Sequence, residues 1–399
     1  MLDFNKDKNN CTGCSACSSV CPQQCIQMKP DEEGFMYPEL SEGCIQCGLC
    51  EKVCPLVNDR KESVSKKIVY CAISNDNQTW RNSSSGGAFS EICRVWNDGD
   101  STIFGAAWNG LQVKHIGVNG YKNIDPLRKS KYVASDIDDS FRQIKILLND
   151  GKFVIFSGTP CQVAGLNTFL RKRYDNLLTI DLICHGVGSP KVFNSCIELL
   201  EKQFKNKITS YQFRAKKEQY ITDYISKVRF EGAPKEVYIY TDRYNQLFLN
   251  QLCLRPSCGK NCIFRDERRP GDITLADFRG TTKLFPDLAG VRKNYSSIVA
   301  NTDKGLEVIQ KLDKFMLLRE YSYEGLIEFN PLFSHHTWFA DGRDDFFHHF
   351  VEDPSNTVLG LTEERPEFKL SLKRKILNLL PTRIRAFVLI YKSKKQCQK

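Results

Sequence analysis

Eight of the cysteines fall into one spacing that is used twice. The first copy is Cys11-x2-Cys14-x2-Cys17-x3-Cys21, followed by Pro22. The second is Cys44-x2-Cys47-x2-Cys50-x3-Cys54, followed by Pro55. Two-residue gaps let one tight loop aim three thiolates at three irons of a cubane, and the fourth ligand then comes from the other copy. The spacing predicts two [4Fe–4S] clusters, one on Cys11, Cys14, Cys17 and Cys54, the other on Cys44, Cys47, Cys50 and Cys21. The two prolines turn the chain away after the crossing ligand. Zinc is the competing use of such thiols, but it takes four ligands, typically as two separated pairs. Four evenly stepped thiols occurring twice do not fit that pattern. Cys25, just outside the first copy, reads as a spare buried thiol.

The chain has 18 Cys in 399 residues. Its opening residues lack the apolar stretch of a secretory signal, so the expectation is metal rather than disulfides and a reducing cytoplasm. No run approaches the roughly 18 apolar residues of a spanning helix. The net charge of +10 is concentrated: ten of the 57 Lys and Arg lie in 368–399, where there is no Asp or Glu. That leaves 47 basic against 47 acidic residues elsewhere. A neutral body lacks the basic footprint of a nucleic-acid binder, so no nucleic-acid partner is expected.

Four segments follow from composition. Residues 1–57 are Cys-rich and turn-rich. The polar stretch Asn58 to Lys67 reads as a linker. An α/β region runs over 66–150 and 151–350. Residues 351–399 read as a polar, Pro-containing linker and a basic tail. Within the α/β region, KFVIFS (152–157) is a buried strand. Thr159 is placed to cap a helix with Pro160 in its first position, running to about Arg173. LLTIDLIC (177–184) is a second strand, and a loop from His185 leads to a further helix. Such a β-α-β-α unit is parallel and right-handed. The loops after its strands gather at one sheet edge, where ligands bind. The fold class is thus α+β / α/β: a ferredoxin-like domain for two [4Fe–4S] clusters, then a mixed-sheet α/β domain and a basic helical tail.

Ser83-Ser84-Ser85-Gly86-Gly87 precedes the helical pattern AFSEICRVW. Small residues with exposed N–H groups at a helix start favour phosphate, although a Ser-capped Gly-Gly turn is equally consistent with the residues. In order come Ser130-Lys131-Tyr132-Val133-Ala134-Ser135, the run Phe156 to Leu166, the run Asp181 to Val187, Leu254-Arg255-Pro256-Ser257-Cys258 with Cys262, and the run Gly271 to Phe278. Behind a ferredoxin-like module, this series resembles the beta-subunit family of coenzyme F420 hydrogenases and dehydrogenases, over roughly residues 8 to 340. The resemblance implies an iron–sulfur flavoprotein with FAD in the α/β domain. It also implies FAD contacts from Ser84, Ser85, Gly86, Gly87, Lys131 and Ser135. Lys131 would offer charge to the pyrophosphate, a surface lysine being the alternative.

Cys161 and Cys184 each follow a parallel strand and so share a sheet edge. Cys161, second in its helix, would have its thiol pKa lowered by the helix dipole. With Cys258 and Cys262 they make a candidate third [4Fe–4S] site beside the flavin, buried free thiols being the alternative. Three residues separate Cys258 from Cys262, where the family more often shows two, and nearby Cys253 is an alternative ligand. His185 at the same edge is a candidate catalytic proton carrier or flavin partner, or a structural loop residue. Asp277 is a weaker candidate. The adjacent pairs His335-His336 and His348-His349 read as structural or surface residues.

Residues 370–380 and 382–395 read as two basic amphipathic helices. They suit the inner membrane surface as a peripheral contact, docking on the body or disorder being the alternatives. The functional expectation is a cytoplasmic oxidoreductase passing electrons between [4Fe–4S] clusters and FAD. Its partner would be a reduced coenzyme, ferredoxin or another oxidoreductase subunit. The alternative is an electron-transfer subunit with no substrate of its own. The body offers no strong basic site for the polyanionic tail of coenzyme F420. The sequence leaves the acceptor and the oligomeric state open.

Overall fold

Val154–Ser157 and Leu177–Leu182 are adjacent parallel strands, joined by the helix Pro160–Leu170 and followed by the helix Pro190–Phe204. In the computed structural model, residues 8–58, 67–216, 225–240, 242–259, 262–288, 294–333 and 340–362 are described, with positions 380, 381, 384, 387 and 388. Thr159 precedes the first helix, and its N–H donates to Gln162 Oε1 at 3.0 Å, satisfying one donor that the helix start leaves open. The helix stops at Leu170, short of the expected Arg173, because Arg171 turns into the left-handed region at φ 60°.

The strands are β1 (Ile26–Pro30), β2 (Met36–Leu40), β3 (Ile68–Ser74), β4 (Thr102–Asn109), β5 (Gln112–Asn119), β6 (Val154–Ser157), β7 (Leu177–Leu182), β8 (Ile208–Gln212), β9 (Ser226–Phe230), β10 (Val237–Ile239), β11 (Ile273–Phe278), β12 (Tyr295–Ala300) and β13 (Met316–Tyr321). Eight of them form one sheet in the order β13-β3-β12-β11-β7-β6-β4-β5. Its centre, β11-β7-β6-β4, is parallel. Antiparallel β5 closes one side, and antiparallel β12, β3 and β13 the other. Central strands are mostly apolar, as strands covered on both faces tend to be: in β6, Val154, Ile155 and Phe156 are all fully buried, while β7 also buries Thr179 and Asp181. A second sheet, β10-β9-β8, and the hairpin β1-β2 complete the set.

The Cys-rich module sits directly on this sheet domain. Cys14, Ala16 and Val53 join a core with Phe141, Val163, Leu166 and Phe169. Thr168 donates to Val53 O at 2.6 Å, and Arg142 donates to Ser18 O and Ser19 O. Glu33 pairs with buried Arg343, and Ser189 donates to Glu33 O at 2.5 Å.

Residues 354–361, expected as linker, instead form the helix Pro354–Leu361. It is capped by Asp353 and packs on the helix Pro190–Phe204. Val358 is fully buried and recruits the segment to the core. The expected tail helices fall almost wholly outside the described residues, as do His335-His336 and 59–66 of the linker. His348 and His349 are exposed on the helix Arg343–Glu352. No helix among the described residues is long and apolar enough to cross a membrane.

Candidate iron–sulfur and flavin sites

The first motif loops over the helix Pro160–Leu170. Gly13 adopts φ 69°, turning the loop between Cys11 and Cys14, and its N–H points at Cys11 Sγ at 3.4 Å. Burial, with smaller contributions from Cys11 and Cys54, pushes the Cys14 thiol up to about 12. Cys17 is likewise raised by burial, then by Cys14, Cys11 and Cys54. Four thiols therefore stand together, with Cys54 crossing over from the second motif. Buried thiolates that repel one another need a cationic core between them, which a cubane supplies.

The second set surrounds a cavity of about 300 Å³ lined by Cys21, Cys44, Cys47 and Cys50. Here Cys21 is the residue that crosses. Cys25 lines the same cavity, its sulfur 3.3 Å from that of Cys21, so this spare thiol belongs to the site wall. Cys47 is exposed.

A third pocket is lined by Cys161, Cys184, Cys258 and Cys262. The Cys161 thiol is raised well above its ordinary value, first by burial and then by the other three. The net direction is thus opposite to the lowering expected from the helix dipole, because desolvation of the thiol outweighs it. Arg265, buried at 5% exposure, holds Cys184 and Cys258 down against the burial that raises them. Cys253 is not brought here: it lies fully buried in the aromatic core with Tyr244. Thr12, next to Cys11, lines the same pocket, so the first and third quartets are neighbours. Among the described residues, no three His, Cys, Asp or Glu converge on one ion position. Zinc would ask for that. A cubane binds each thiolate through a different iron.

The Ser-Gly-Gly turn lies against the sheet. Ser85 donates to Tyr295 O at 2.7 Å, Gly86 N–H to Ser296 Oγ at 2.9 Å, and Ser74 N–H to Gly86 O at 2.8 Å. A Cβ at Gly86 would stand 2.3 Å from Ala72 O, so only glycine fits there. The Ser85 hydroxyl and the Gly86 N–H, expected as flavin contacts, are therefore used to pin the turn to β12. Gly87, at φ 97°, starts the helix Ala88–Val95. Ser84 Oγ accepts from Ser130 N–H at 2.8 Å, bringing the turn beside the Ser130–Ser135 segment. Val133 in that segment bridges to Gly188, and Ser135 Oγ accepts from Gln162 at 3.0 Å, next to Cys161. Lys131 donates to Pro126 O and Arg128 O, and burial with Lys129 nearby lowers its pKa to about 7. Its charge at neutral pH is thus partial, less than expected of an ordinary lysine.

His185 donates to Phe248 O at 3.2 Å, its ring lies against Phe248, and burial lowers its pKa. These contacts match the structural alternative. Asp277, in β11, pairs with Arg214 at 2.9 Å. The sequence reading missed His115, Arg255 and Arg265. A cation inside an apolar run, as in Leu252-Cys253-Leu254-Arg255, is the signal that was there to find.

Thiol quartets of this kind, packed on a mixed α/β sheet, define an iron–sulfur protein. Residues 10–57 match the 4Fe-4S dicluster domain, and residues 151–321 match the family described as the C terminus of the beta subunit of coenzyme F420 hydrogenase/dehydrogenase. Over those residues the chain is similar to the coenzyme F420 hydrogenase/dehydrogenase beta-subunit family, whose description points to oxidoreductases. A similar solved structure is the xenon-derivatised F420-reducing [NiFe] hydrogenase complex from Methanosarcina barkeri. It is 15% identical with a TM-score of 0.41, covering 76% of this chain and 96% of that one. No curated protein matches.

Proposed function

We propose that the chain passes electrons between [4Fe–4S] clusters and FAD, coupled to a reduced coenzyme or ferredoxin on one side and an acceptor on the other. The observation that carries this is the continuity of the thiol sites: Thr12 joins the first quartet to the third, and Ser135 joins the third, through Gln162, to the segment beside the Ser-Gly-Gly turn. In this reading Cys11, Cys14, Cys17 and Cys54 hold one cluster, and Cys21, Cys44, Cys47 and Cys50 the second. Cys161, Cys184, Cys258 and Cys262 hold the third. Ser84, Gly87, Lys131 and Ser135 face the flavin side.

FAD bound there would supply the exchange between two-electron and one-electron chemistry. Arg265 holds a fixed positive charge beside the third quartet. Phe264 adds an apolar wall to the same pocket. Neutral His185 fixes its loop through Phe248.

A second reading is an electron-transfer subunit with no substrate of its own. Leu40 and Ile45, 44% and 61% exposed on the rim of the second quartet, favour it by giving a protein partner an apolar landing. Both readings predict that reduced ferredoxin, mixed anaerobically with FAD-loaded protein, bleaches the flavin absorbance, and that Cys47→Ala slows this. Equal rates would mean that electrons bypass the clusters and would remove the proposal. Turnover of a small acceptor without any partner would favour the first reading over the second.

A further inference from the structure

Arg255 is 2% exposed. Its Nε donates to Cys11 O at 2.8 Å and its Nη2 to Met36 O at 3.0 Å, with Cys11 Sγ 3.7 Å from the same nitrogen. The guanidinium lies over the Tyr37 ring at 4.1 Å. On its other side is the loop between Cys11 and Cys14, where a Cβ at Gly13 would stand 2.8 Å from Nη1. Among the described residues Arg255 makes no ion pair. The acidic residues near Tyr37 already have cations of their own: Asp31 pairs with Lys8 at 2.8 Å, and Glu33 with Arg343.

A buried cation without an anion is costly. The negative charge that would offset this one is that of thiolates holding a cluster in the first quartet. We propose that Arg255 is the fixed charge that raises the reduction potential of that cluster, favouring the electron on the inner cluster over the outer. Adding one electron to the inner cluster adds negative charge beside a cation that water does not screen, so reduction is favoured there. Among the described residues no buried arginine stands beside the outer quartet of Cys21, Cys44, Cys47 and Cys50, where Glu51 lies beside Cys50 and Cys47 is open to solvent. In the transfer one electron leaves the outer cluster and one arrives at the inner, and no bond is made or broken. Arg255 also donates its N–H to Val187 O at 2.9 Å, in the wall of the third pocket. The same residue therefore sits where the electron would leave.

This rests on the first quartet holding a cluster, so iron is counted in every sample. Redox titration followed by electron paramagnetic resonance is applied to the intact chain, to Arg255→Gln and to Arg255→Lys. With iron unchanged, Arg255→Gln should lower one midpoint potential by on the order of tenfold in the equilibrium constant, about 59 mV for one electron. The other dicluster midpoint should hold. Arg255→Lys, which keeps the charge, should stay near the parent. Unmoved midpoints in Arg255→Gln, or an equal fall in both, would overturn the proposal. So would a fall in Arg255→Lys as large as in Arg255→Gln, or loss of iron on Arg255→Gln, since that would make the residue a support for the fold. A parent chain that lacks the first cluster would show it in its iron count.

Discussion

Gly165 and Cys14 touch where the iron–sulfur module meets the sheet domain: a Cβ at 165 would stand 2.9 Å from both Cβ and Sγ of Cys14. The helix that carries Gly165 begins with Pro160 and Cys161. One helix thus presses on a first-quartet thiol and carries a third-quartet thiol.

Gly165→Ala tests that contact. In a helix interior alanine ordinarily gains about 1 kcal/mol over glycine. Here the added methyl meets atoms anchored in a buried loop, and overpacking costs about 1–3 kcal/mol, so the clash wins or cancels the gain. The expected outcome is no stabilisation in denaturant unfolding and faster iron loss from the first quartet. Stabilisation of about 1 kcal/mol with unchanged iron retention would contradict the packing account.

Cys161→Ser and Cys253→Ser should behave differently, although both thiols are at least partly buried. The first sits in the third pocket and the second in the aromatic core. Cys161→Ser should lower the iron content by about four per chain, and Cys253→Ser should leave it unchanged. Equal iron in both variants would return Cys161 to the status of a free thiol.

Cys25 shares a cavity wall with Cys21 but lies outside both motifs. Cys25→Ala should keep both dicluster signals in the paramagnetic resonance spectrum, whereas Cys44→Ala should lose one. Loss of a signal in Cys25→Ala would make Cys25 the ligand in place of Cys21.

His115 is 4% exposed and stacks on Phe156. Nε2 donates to Ser157 O at 3.2 Å, and Nδ1 has no hydrogen-bond partner among the described residues. Burial holds its pKa at about 4, against roughly 6.5 in an unfolded chain. Below about pH 6.5 the unfolded chain takes up a proton that the folded chain refuses, so stability falls from there down to about pH 4. Between pH 7 and 5.5 the loss should be about 1 kcal/mol by denaturant unfolding. His115→Gln should remove this part of the slope. The same slope in both chains would place the acid sensitivity elsewhere.

The sequence was legible where chemistry or periodicity is local. The doubled thiol spacing announced the quartets, and the apolar runs at 152–157 and 177–184 announced β6 and β7. Contacts between distant segments were not legible. Nothing local says that Arg171 turns left-handed, that Val358 pulls a polar stretch into a helix, or that Ser85 and Gly86 spend their donors on β12. Arg255 and Gly165 lie inside recognisable motifs, but their meaning depends on Cys11 and Cys14, more than 150 residues away in sequence. Spacing left Cys253 open as a substitute for Cys258 or Cys262, and the burial of Cys253 beside Tyr244 places it elsewhere.

Iron, acid-labile sulfide and flavin counted per chain, on protein purified without oxygen and offered FAD, test the central claim most directly. The account predicts about twelve irons, about twelve sulfides and one FAD. About eight irons and no flavin even after reconstitution would contradict it and leave a two-cluster electron carrier.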